Sequence, residues 1–291
     1  MLKAILRFIP NFLTLCNAAC GVAGIVLIGN ENMIGAVYCV SIALLLDFLD
    51  GFVARLLGVQ SKLGVQLDSL ADGITFGALP GLILFQMIVI CEGAYFVDST
   101  QWPLDVWINA SIALIVPMAA VYRLGVFNLD QSHPPHFLGL PTPAMTLAVL
   151  GIPLVLELNY HLNFYHVIPD FLLEVLRDER RWSATDVSIV KMMNQSWFYQ
   201  ALSVFLALAM VTRVPMLSLK FKGLSWTVNK WRYSILIWVL ICYFIFLVPY
   251  IDLPLFNWGL IDYLVLPIFM IGYFVLSWIY AIFGAPNSQI E

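Results

Sequence analysis

Hydrophobic residues run along this chain in long stretches, and polar residues are largely confined to the shorter segments between them. A stretch of about 20 apolar residues is long enough to cross the hydrocarbon core of a bilayer as an α-helix. The pattern therefore predicts an all-α polytopic transmembrane bundle of about eight helices. The predicted spans are 12–29, 33–54, 68–91, 106–124, 138–157, 198–212, 233–251 and 261–284.

The composition supports a membrane protein. Hydrophobic residues make up 62% of the chain and charged residues 11%, and the mean hydropathy is +0.90. A water-soluble protein of 291 residues could not bury that much apolar surface. The formal net charge of -4 argues against nucleic acid as a partner, because surfaces that bind nucleic acid are basic.

Lysine and arginine predict the orientation, because they accumulate on the cytoplasmic side of membrane proteins. If the N-terminus is cytoplasmic, ten of the 14 basic residues fall on the inner side, and both termini lie in the cytoplasm. These ten are Lys3, Arg7, Arg55, Lys62, Arg123, Arg213, Lys220, Lys222, Lys230 and Arg232. The other four lie in a long outer loop predicted over about 159–197, and long loops escape this rule.

The two ends of the chain complete the predicted organisation. Residues 1–9 are predicted to form a short amphipathic helix at the inner membrane interface. No internal repeat or flexible linker is visible, so residues 1–291 are treated as a single transmembrane domain. Two C-terminal helices, over about 233–284, end the bundle.

Four aspartates interrupt the apolar pattern of the second and third spans: Asp47, Asp50, Asp68 and Asp72. A charged side chain at the centre of a bilayer costs roughly 2.5–3.5 kcal/mol on insertion scales, so such residues pair or serve a function. Spacings of three and four residues place each pair on one helix face. Carboxylate oxygens favour Mg²⁺ or Mn²⁺, and two such ions could clamp an in-line displacement at phosphorus.

The residues around the aspartates suit a phosphate ligand. Gly51 and Gly64 have no side chain, so a bulky ligand can approach the backbone beside the carboxylates. Arg55, Ser61 and Lys62 lie where the chain turns between the two helices, and both basic side chains can bind phosphate oxygens.

Two other interpretations compete with this one. The aspartates could form structural ion pairs between helices, but the two nearby basic residues are too few to neutralise four acids. They could also form the cation pathway of a transporter. A pathway of that kind would place acids across the midplane, whereas these are expected near one surface.

The pattern Asp-x2-Asp-Gly-x2-Ala-Arg-x8-Gly-x3-Asp-x3-Asp, from Asp47 to Asp72, resembles the signature of the CDP-alcohol phosphotransferases. These integral membrane enzymes transfer a phosphatidyl-type group from a CDP-activated donor to an alcohol. The resemblance implies a six-helix core with its signature at residues 47–72, followed here by the two C-terminal helices.

The same resemblance implies a role for each signature residue. Asp47, Asp50 and Asp68 would be metal ligands, and Asp72 would be both the general base and a further metal contact for Mg²⁺ or Mn²⁺. Gly51, Arg55 and Gly64 would form the nucleotide and diphosphate site. Further candidates for that site are Asn11, Thr14, Asn17, Ser61 and Lys62.

Flanking motifs between about residues 8 and 150 resemble the membrane-embedded bacterial phosphatidylserine synthases within this family. That resemblance implies CDP-diacylglycerol as donor and L-serine as acceptor, with Arg123 and Asn128 as candidates for serine binding. The subgroup usually shows Arg-Leu-Ala-Arg-Phe-Asn at this point, whereas this chain has Val126 in place of the second arginine. Glycerol 3-phosphate and inositol therefore remain alternative acceptors.

The resemblance also implies an environment. An enzyme of this kind would lie in the bacterial inner (cytoplasmic) membrane, with membrane lipid as its surroundings and its active site on the cytoplasmic side. Small residues in the first span, such as Gly21 and Gly24, would be compatible with a homodimer, although packing within one bundle would explain them equally well.

Overall fold

The computed structural model describes residues 2–129, 138–156, 184–212, 214–217, 226–247 and 261–283. Within these ranges the chain forms helices and no strand, apart from one isolated antiparallel bridge between Leu138 and Pro215. The helices are α1 (Leu2–Gly29), α2 (Met33–Leu56), α3 (Lys62–Asp72), α4 (Leu79–Cys91), α5 (Leu104–Ser111), α6 (Ile115–Leu129), α7 (Thr142–Leu154), α8 (Ala184–Met193), α9 (Ser196–Val211), α10 (Trp226–Leu247) and α11 (Ile261–Phe283).

The predicted all-α polytopic bundle is confirmed, and each of the eight predicted spans overlaps a helix. Among the described residues, five helical stretches are long and apolar enough to cross a membrane. They are Arg7–Gly29, Met33–Leu56, Lys62–Cys91, Leu104–Leu129 and Leu266–Phe283. The helices α7 and α9 are shorter but also apolar.

The structure differs from the sequence-based expectations at two places. Residues 2–9 are helical, but they are the first part of α1, which continues through Pro10 to Gly29, so the expected N-terminal helix is not a separate element. The outer loop expected over about 159–197 is too long, because Ala184–Met193 forms α8 and α9 begins at Ser196. Residues 157–183 of that loop lie outside the described residues.

The third span is continuous from α3 to α4, but it contains a wide π-helical turn at Gly73–Ala78, directly after Asp72. This turn lies at the centre of the bundle. A Cβ atom on Gly21 of α1 would lie 3.0 Å from the Cα atom of Thr75, so these two backbones are in close contact. The Thr75 hydroxyl donates a hydrogen bond to the carbonyl oxygen of Asn17 at 3.2 Å.

Helices α6 and α7 also pack against the π turn. A Cβ atom on Gly77 would lie 3.1 Å from the Cβ atom of Ala120. The Thr146 hydroxyl of α7 lies 3.3 Å from the carbonyl oxygen of Phe76. Three helices therefore hold the turn that follows Asp72, and α4 continues from it into the buried core.

The C-terminal helices are attached to the rest of the bundle. Helix α11 packs against both α7 and α10. The Tyr273 hydroxyl donates to the carbonyl oxygen of Leu217 at 2.9 Å, and the amide of Leu217 donates to the Ser277 hydroxyl at 3.2 Å. Contacts of this kind link α11 to the segment that follows α9.

Candidate active site

The four aspartates of the signature meet at the interface between α2 and α3. Carboxylate oxygens of Asp47, Asp50 and Asp68 all lie within 4.8 Å of one another. Asp72 adjoins Asp47 and is only 9% exposed. The two predicted pairs therefore face a common point, as their spacing of three and four residues on neighbouring helices requires.

Helix α1 contributes directly to this cluster through Thr14, which is 4% exposed. Its hydroxyl donates a hydrogen bond to Oδ2 of Asp50 and also lies 3.1 Å from the carbonyl oxygen of Pro10. This contact fixes the orientation of the Asp50 carboxylate. The sequence had suggested a nucleotide contact for Thr14, and the structure adds this contact with an acid.

A cavity of about 190 Å³ opens beside the acids, between the N-terminal half of α1, the end of α2 and the start of α3. Its lining residues are Pro10, Asn11, Thr14, Asp50, Gly51, Ala54, Arg55, Val59, Gln60, Ser61, Gly64, Val65 and Asp68. Most of the residues suggested for the nucleotide site are among them, together with Gln60, which no sequence motif had indicated. Asn17 and Lys62 are not: the first is fully buried and the second is exposed.

The start of α3 shapes one wall of the cavity. Ser61 caps this helix, because its hydroxyl accepts a hydrogen bond from the amide of Gly64 at 3.0 Å. A Cβ atom on Gly64 would lie 3.2 Å from the Ser61 hydroxyl and 3.3 Å from Oδ1 of Asn11. The absence of a side chain at Gly64 thus leaves space between two polar groups.

Arg55 supplies positive charge on the opposite wall. A Cβ atom on Gly51 would lie 3.3 Å from its Nη1 atom, so the guanidinium folds back over the helix toward the acids. Arg55 also interacts electrostatically with Asp50. An exposed arginine beside several carboxylates can bind a phosphate group.

The donor set fits hard divalent cations such as Mg²⁺ or Mn²⁺. All four side chains at the cluster offer oxygen, which these ions prefer to nitrogen or sulfur. Oδ1 of Asp72 is buried and has no hydrogen-bond partner among the described residues, so its lone pairs are available. Four acids gathered between two apolar helices long enough to span a membrane are costly without a cation.

The two residues suggested for acceptor binding lie on α6, on the same side as Asp72. Arg123 is partly buried and interacts electrostatically with Asp72, while its Nε atom is buried without a hydrogen-bond partner in the described part of the chain. Asn128 receives a hydrogen bond at Oδ1 from the Ser69 hydroxyl at 2.9 Å. Ser69 lies between Asp68 and Asp72 in α3, so Asn128 is held against the acidic helix.

Comparison with known proteins identifies the family. Residues 7–176 match the CDP-alcohol phosphatidyltransferase family, a range that covers more than half of the chain and includes the whole acidic cluster and its cavity. The chain belongs to this family. The resemblance found in the signature residues is therefore confirmed. As an all-α chain with several apolar helices, it is an integral membrane protein of the CDP-alcohol phosphatidyltransferase family.

Several relatives carry a more specific name. A protein from Bacillus subtilis, 34% identical over 148 residues, is named CDP-diacylglycerol–serine O-phosphatidyltransferase, and the match covers 50% of this chain and 76% of the relative. Proteins of the same name from Mycobacterium tuberculosis and Helicobacter pylori are 29% and 32% identical. These matches cover 53% and 54% of this chain, but only 51% and 61% of the relatives' own lengths.

Proposed function

We propose that this protein transfers the phosphatidyl group of CDP-diacylglycerol to the hydroxyl group of L-serine, giving phosphatidylserine and CMP. The observation that carries the proposal is the meeting of four carboxylates from α2 and α3 beside a cavity that contains Arg55. The family supports the reaction class. The names of the relatives favour serine as the acceptor.

The cavity would hold the CDP part of the donor. Arg55 would bind the diphosphate oxygens through its guanidinium fork, and Gly51 and Gly64 leave space for the nucleotide. The surface next to the cavity suits the acyl chains, because the aromatic pairs Phe8–Phe12 and Phe48–Phe52 are exposed there. The lipid tails of the donor could therefore remain in the bilayer.

The divalent ions, two Mg²⁺ or two Mn²⁺ in our proposal, would be held by the four aspartates Asp47, Asp50, Asp68 and Asp72. Such ions, when bound, neutralise charge on the diphosphate and on the departing CMP. The hydrogen bond from Thr14 keeps the Asp50 carboxylate turned toward the cluster. The burial of Asp50 and Asp72 limits the access of water to these groups.

Asp72 is the proposed general base. Its unpartnered Oδ1 atom would accept the proton of the serine hydroxyl. The serine oxygen would then form a bond to the phosphorus that carries diacylglycerol, while the bond from that phosphorus to the CMP oxygen breaks. Arg123 and Asn128 would orient the serine for this attack, with Arg123 binding its carboxylate.

The cellular setting follows from the same proposal. The cavity lies at the end of the bundle where α2 ends and α3 begins, next to Arg55 and Lys62. The distribution of basic residues favours the cytoplasm on this side. We therefore propose an active site on the cytoplasmic face of the bacterial inner membrane, where serine and nucleotides are available.

The experiment that tests this function is an analysis of the lipid product. Purified protein in detergent is incubated with CDP-diacylglycerol, Mn²⁺ and one radiolabelled acceptor at a time: serine, glycerol 3-phosphate or inositol. We expect label in phosphatidylserine only, with release of one CMP for each lipid formed. If lipid were labelled from glycerol 3-phosphate or inositol instead, that compound and not serine would be the acceptor. If no acceptor gave a labelled lipid, the reaction class would be contradicted.

A substitution that fills the cavity should weaken binding of the donor. Gly64→Leu should raise the KM for CDP-diacylglycerol by about tenfold or more, because the new side chain would fill the space between Ser61 and Asn11. Gly29→Leu is the matched control, since a Cβ atom on this exposed glycine meets no atom within 4 Å. An unchanged donor KM in Gly64→Leu would show that the nucleotide binds elsewhere.

A further inference from the structure

Several buried polar side chains of the described residues, Asp72 among them, have side-chain atoms with no hydrogen-bond partner. Asn17 is 0% exposed and Thr142 is 1% exposed. Four of these residues have side-chain atoms without a hydrogen-bond partner in the described part of the chain. The atoms are Nδ2 and Oδ1 of Asn17, Oγ1 of Thr142, Nε of Arg123 and Oδ1 of Asp72. Buried polar groups are normally satisfied, so a group of unsatisfied ones in one place points to a ligand.

The packing of α1 brings Asn17 to the level of Asp72. Helix α3 begins at the cavity, α1 passes it at Pro10, Asn11 and Thr14, and the two helices run in the same direction. Gly21 packs against the backbone of Thr75. Asn17 lies one helical turn before Gly21 on α1, and Ala71 of α3 lies one turn before Thr75. Ala71 directly precedes Asp72, so Asn17 and Asp72 are at the same level.

The packing of α7 also brings Thr142 to the level of Asp72. Helix α7 runs parallel to α3 and α4, and its Thr146 hydroxyl lies 3.3 Å from the carbonyl oxygen of Phe76. Four residues earlier, about one helical turn, α7 carries Thr142 and α3 carries Asp72. Thr142 therefore lies level with the proposed base.

Arg123 reaches this level from the antiparallel helix α6. A Cβ atom on Gly73 would lie 3.9 Å from Cδ1 of Leu124, so Arg123 lies beside the start of the π turn. Its electrostatic interaction with Asp72 agrees with this position. Four helices thus each contribute one polar residue to a single layer, which we call the Asp72 layer: Asn17, Asp72, Arg123 and Thr142.

The chemistry of the Asp72 layer matches the three functional groups of serine. Asp72 can take the hydroxyl proton, and Arg123 can pair with the carboxylate. The remaining group of serine is its ammonium, which needs hydrogen-bond acceptors. The Asn17 amide and the Thr142 hydroxyl each offer a neutral acceptor oxygen in the buried layer. Glycerol 3-phosphate and inositol carry no ammonium group.

We propose that Oδ1 of Asn17 and Oγ1 of Thr142 bind the ammonium group of the acceptor and so determine the preference for serine. This inference rests on the proposed function and refines its acceptor site. It also gives Asn17 a role on the acceptor side, in place of the nucleotide contact suggested by the sequence.

The test compares serine with 3-hydroxypropionate, which has the same hydroxyl and carboxylate but no ammonium. Thr142→Val removes the hydroxyl with little change in shape. We expect it to raise the KM for serine by about tenfold or more, since a hydrogen bond to a charged group is lost. The KM for CDP-diacylglycerol and the inhibition constant of 3-hydroxypropionate should change by less than about twofold. Asn17→Leu, on a different helix, should produce the same pattern.

Two further variants separate binding from general structural effects. Thr142→Ser keeps the hydroxyl and should bring the KM for serine back close to that of the unmodified protein. Ser203→Ala removes a buried hydroxyl in α9 that bonds to the carbonyl oxygen of Tyr199, away from the Asp72 layer. It should leave the KM for serine unchanged.

The outcomes distinguish this inference from the proposed function. If the unmodified protein forms no phosphatidylserine, both fail. If it forms phosphatidylserine and Thr142→Val and Asn17→Leu leave the KM for serine unchanged, only the inference fails. The inference is also overturned if these variants weaken serine and 3-hydroxypropionate by the same factor, because the ammonium would then not be the group recognised.

Discussion

Replacing Asp72 by asparagine is expected to lower the rate of phosphatidyl transfer by a factor of about 10²–10⁴, the range typical for the loss of a general base. Asparagine keeps the shape of the side chain, but its amide cannot accept the proton of the serine hydroxyl at neutral pH. Asp72 does not line the donor cavity, and Asp47, Asp50 and Asp68 remain to hold the divalent ions, so the KM for CDP-diacylglycerol should change only a few-fold. Incorporation of radiolabelled serine into lipid, measured at several donor concentrations, checks both values.

The control for this prediction is Asp105→Asn. Asp105 is an exposed acid in the first turn of α5, outside the candidate site, and its replacement should leave the rate unchanged. If the Asp72→Asn protein retained most of the activity, Asp72 could not be the base, and the proton would have to leave by another route.

Removal of divalent metal should reduce activity by more than about 100-fold, because four acids would then face a diphosphate without a cation between them. Dialysis against EDTA followed by assay in metal-free buffer measures the loss. Addition of Mn²⁺ or Mg²⁺ should restore activity. Undiminished turnover in metal-free buffer would contradict the metal site.

Metal binding can also be measured without catalysis. Mn²⁺ should raise the melting temperature of the protein, since a ligand that binds only the folded state stabilises it. The electron paramagnetic resonance signal of free Mn²⁺ should also fall as the ion binds to the protein. Asp47→Ala and Asp68→Ala should weaken both effects, whereas Asp105→Asn should keep them. Equal Mn²⁺ binding in all three variants would place the ion away from the acidic cluster.

The sequence predicted the elements that depend on local pattern. Long apolar stretches determined the eight spans, because burial in lipid requires about 20 apolar residues per helix whatever the neighbours are. The meeting of the aspartates was also predictable, since spacings of three and four residues align side chains on a helix. When two such pairs lie on successive antiparallel helices, the acidic face of one helix is expected to lie against the acidic face of the other.

Features that depend on tertiary packing were not predicted. The π turn has no distinct local signal, and it is held by contacts with Gly21, Ala120 and Thr146 from different parts of the fold. The sequence likewise gave no indication that Thr142 reaches the level of Asp72, because the two residues are 70 positions apart. Lys62 opens α3 with its side chain exposed and does not line the cavity, whereas Ser61 beside it does, so phosphate binding by Lys62 stays a prediction.

The π turn at Gly73–Ala78 also has a consequence for how this chain can change in length. A regular helix advances by about 100° for each residue, so deleting or inserting one residue within the turn would rotate the acids relative to α4 by that angle. With α4 locked in the core, Asp68 and Asp72 would swing away from α2 and toward other neighbours. The number of residues between Asp72 and Leu79 is therefore a fixed quantity for this protein, even though no side chain in that interval has been assigned to the reaction.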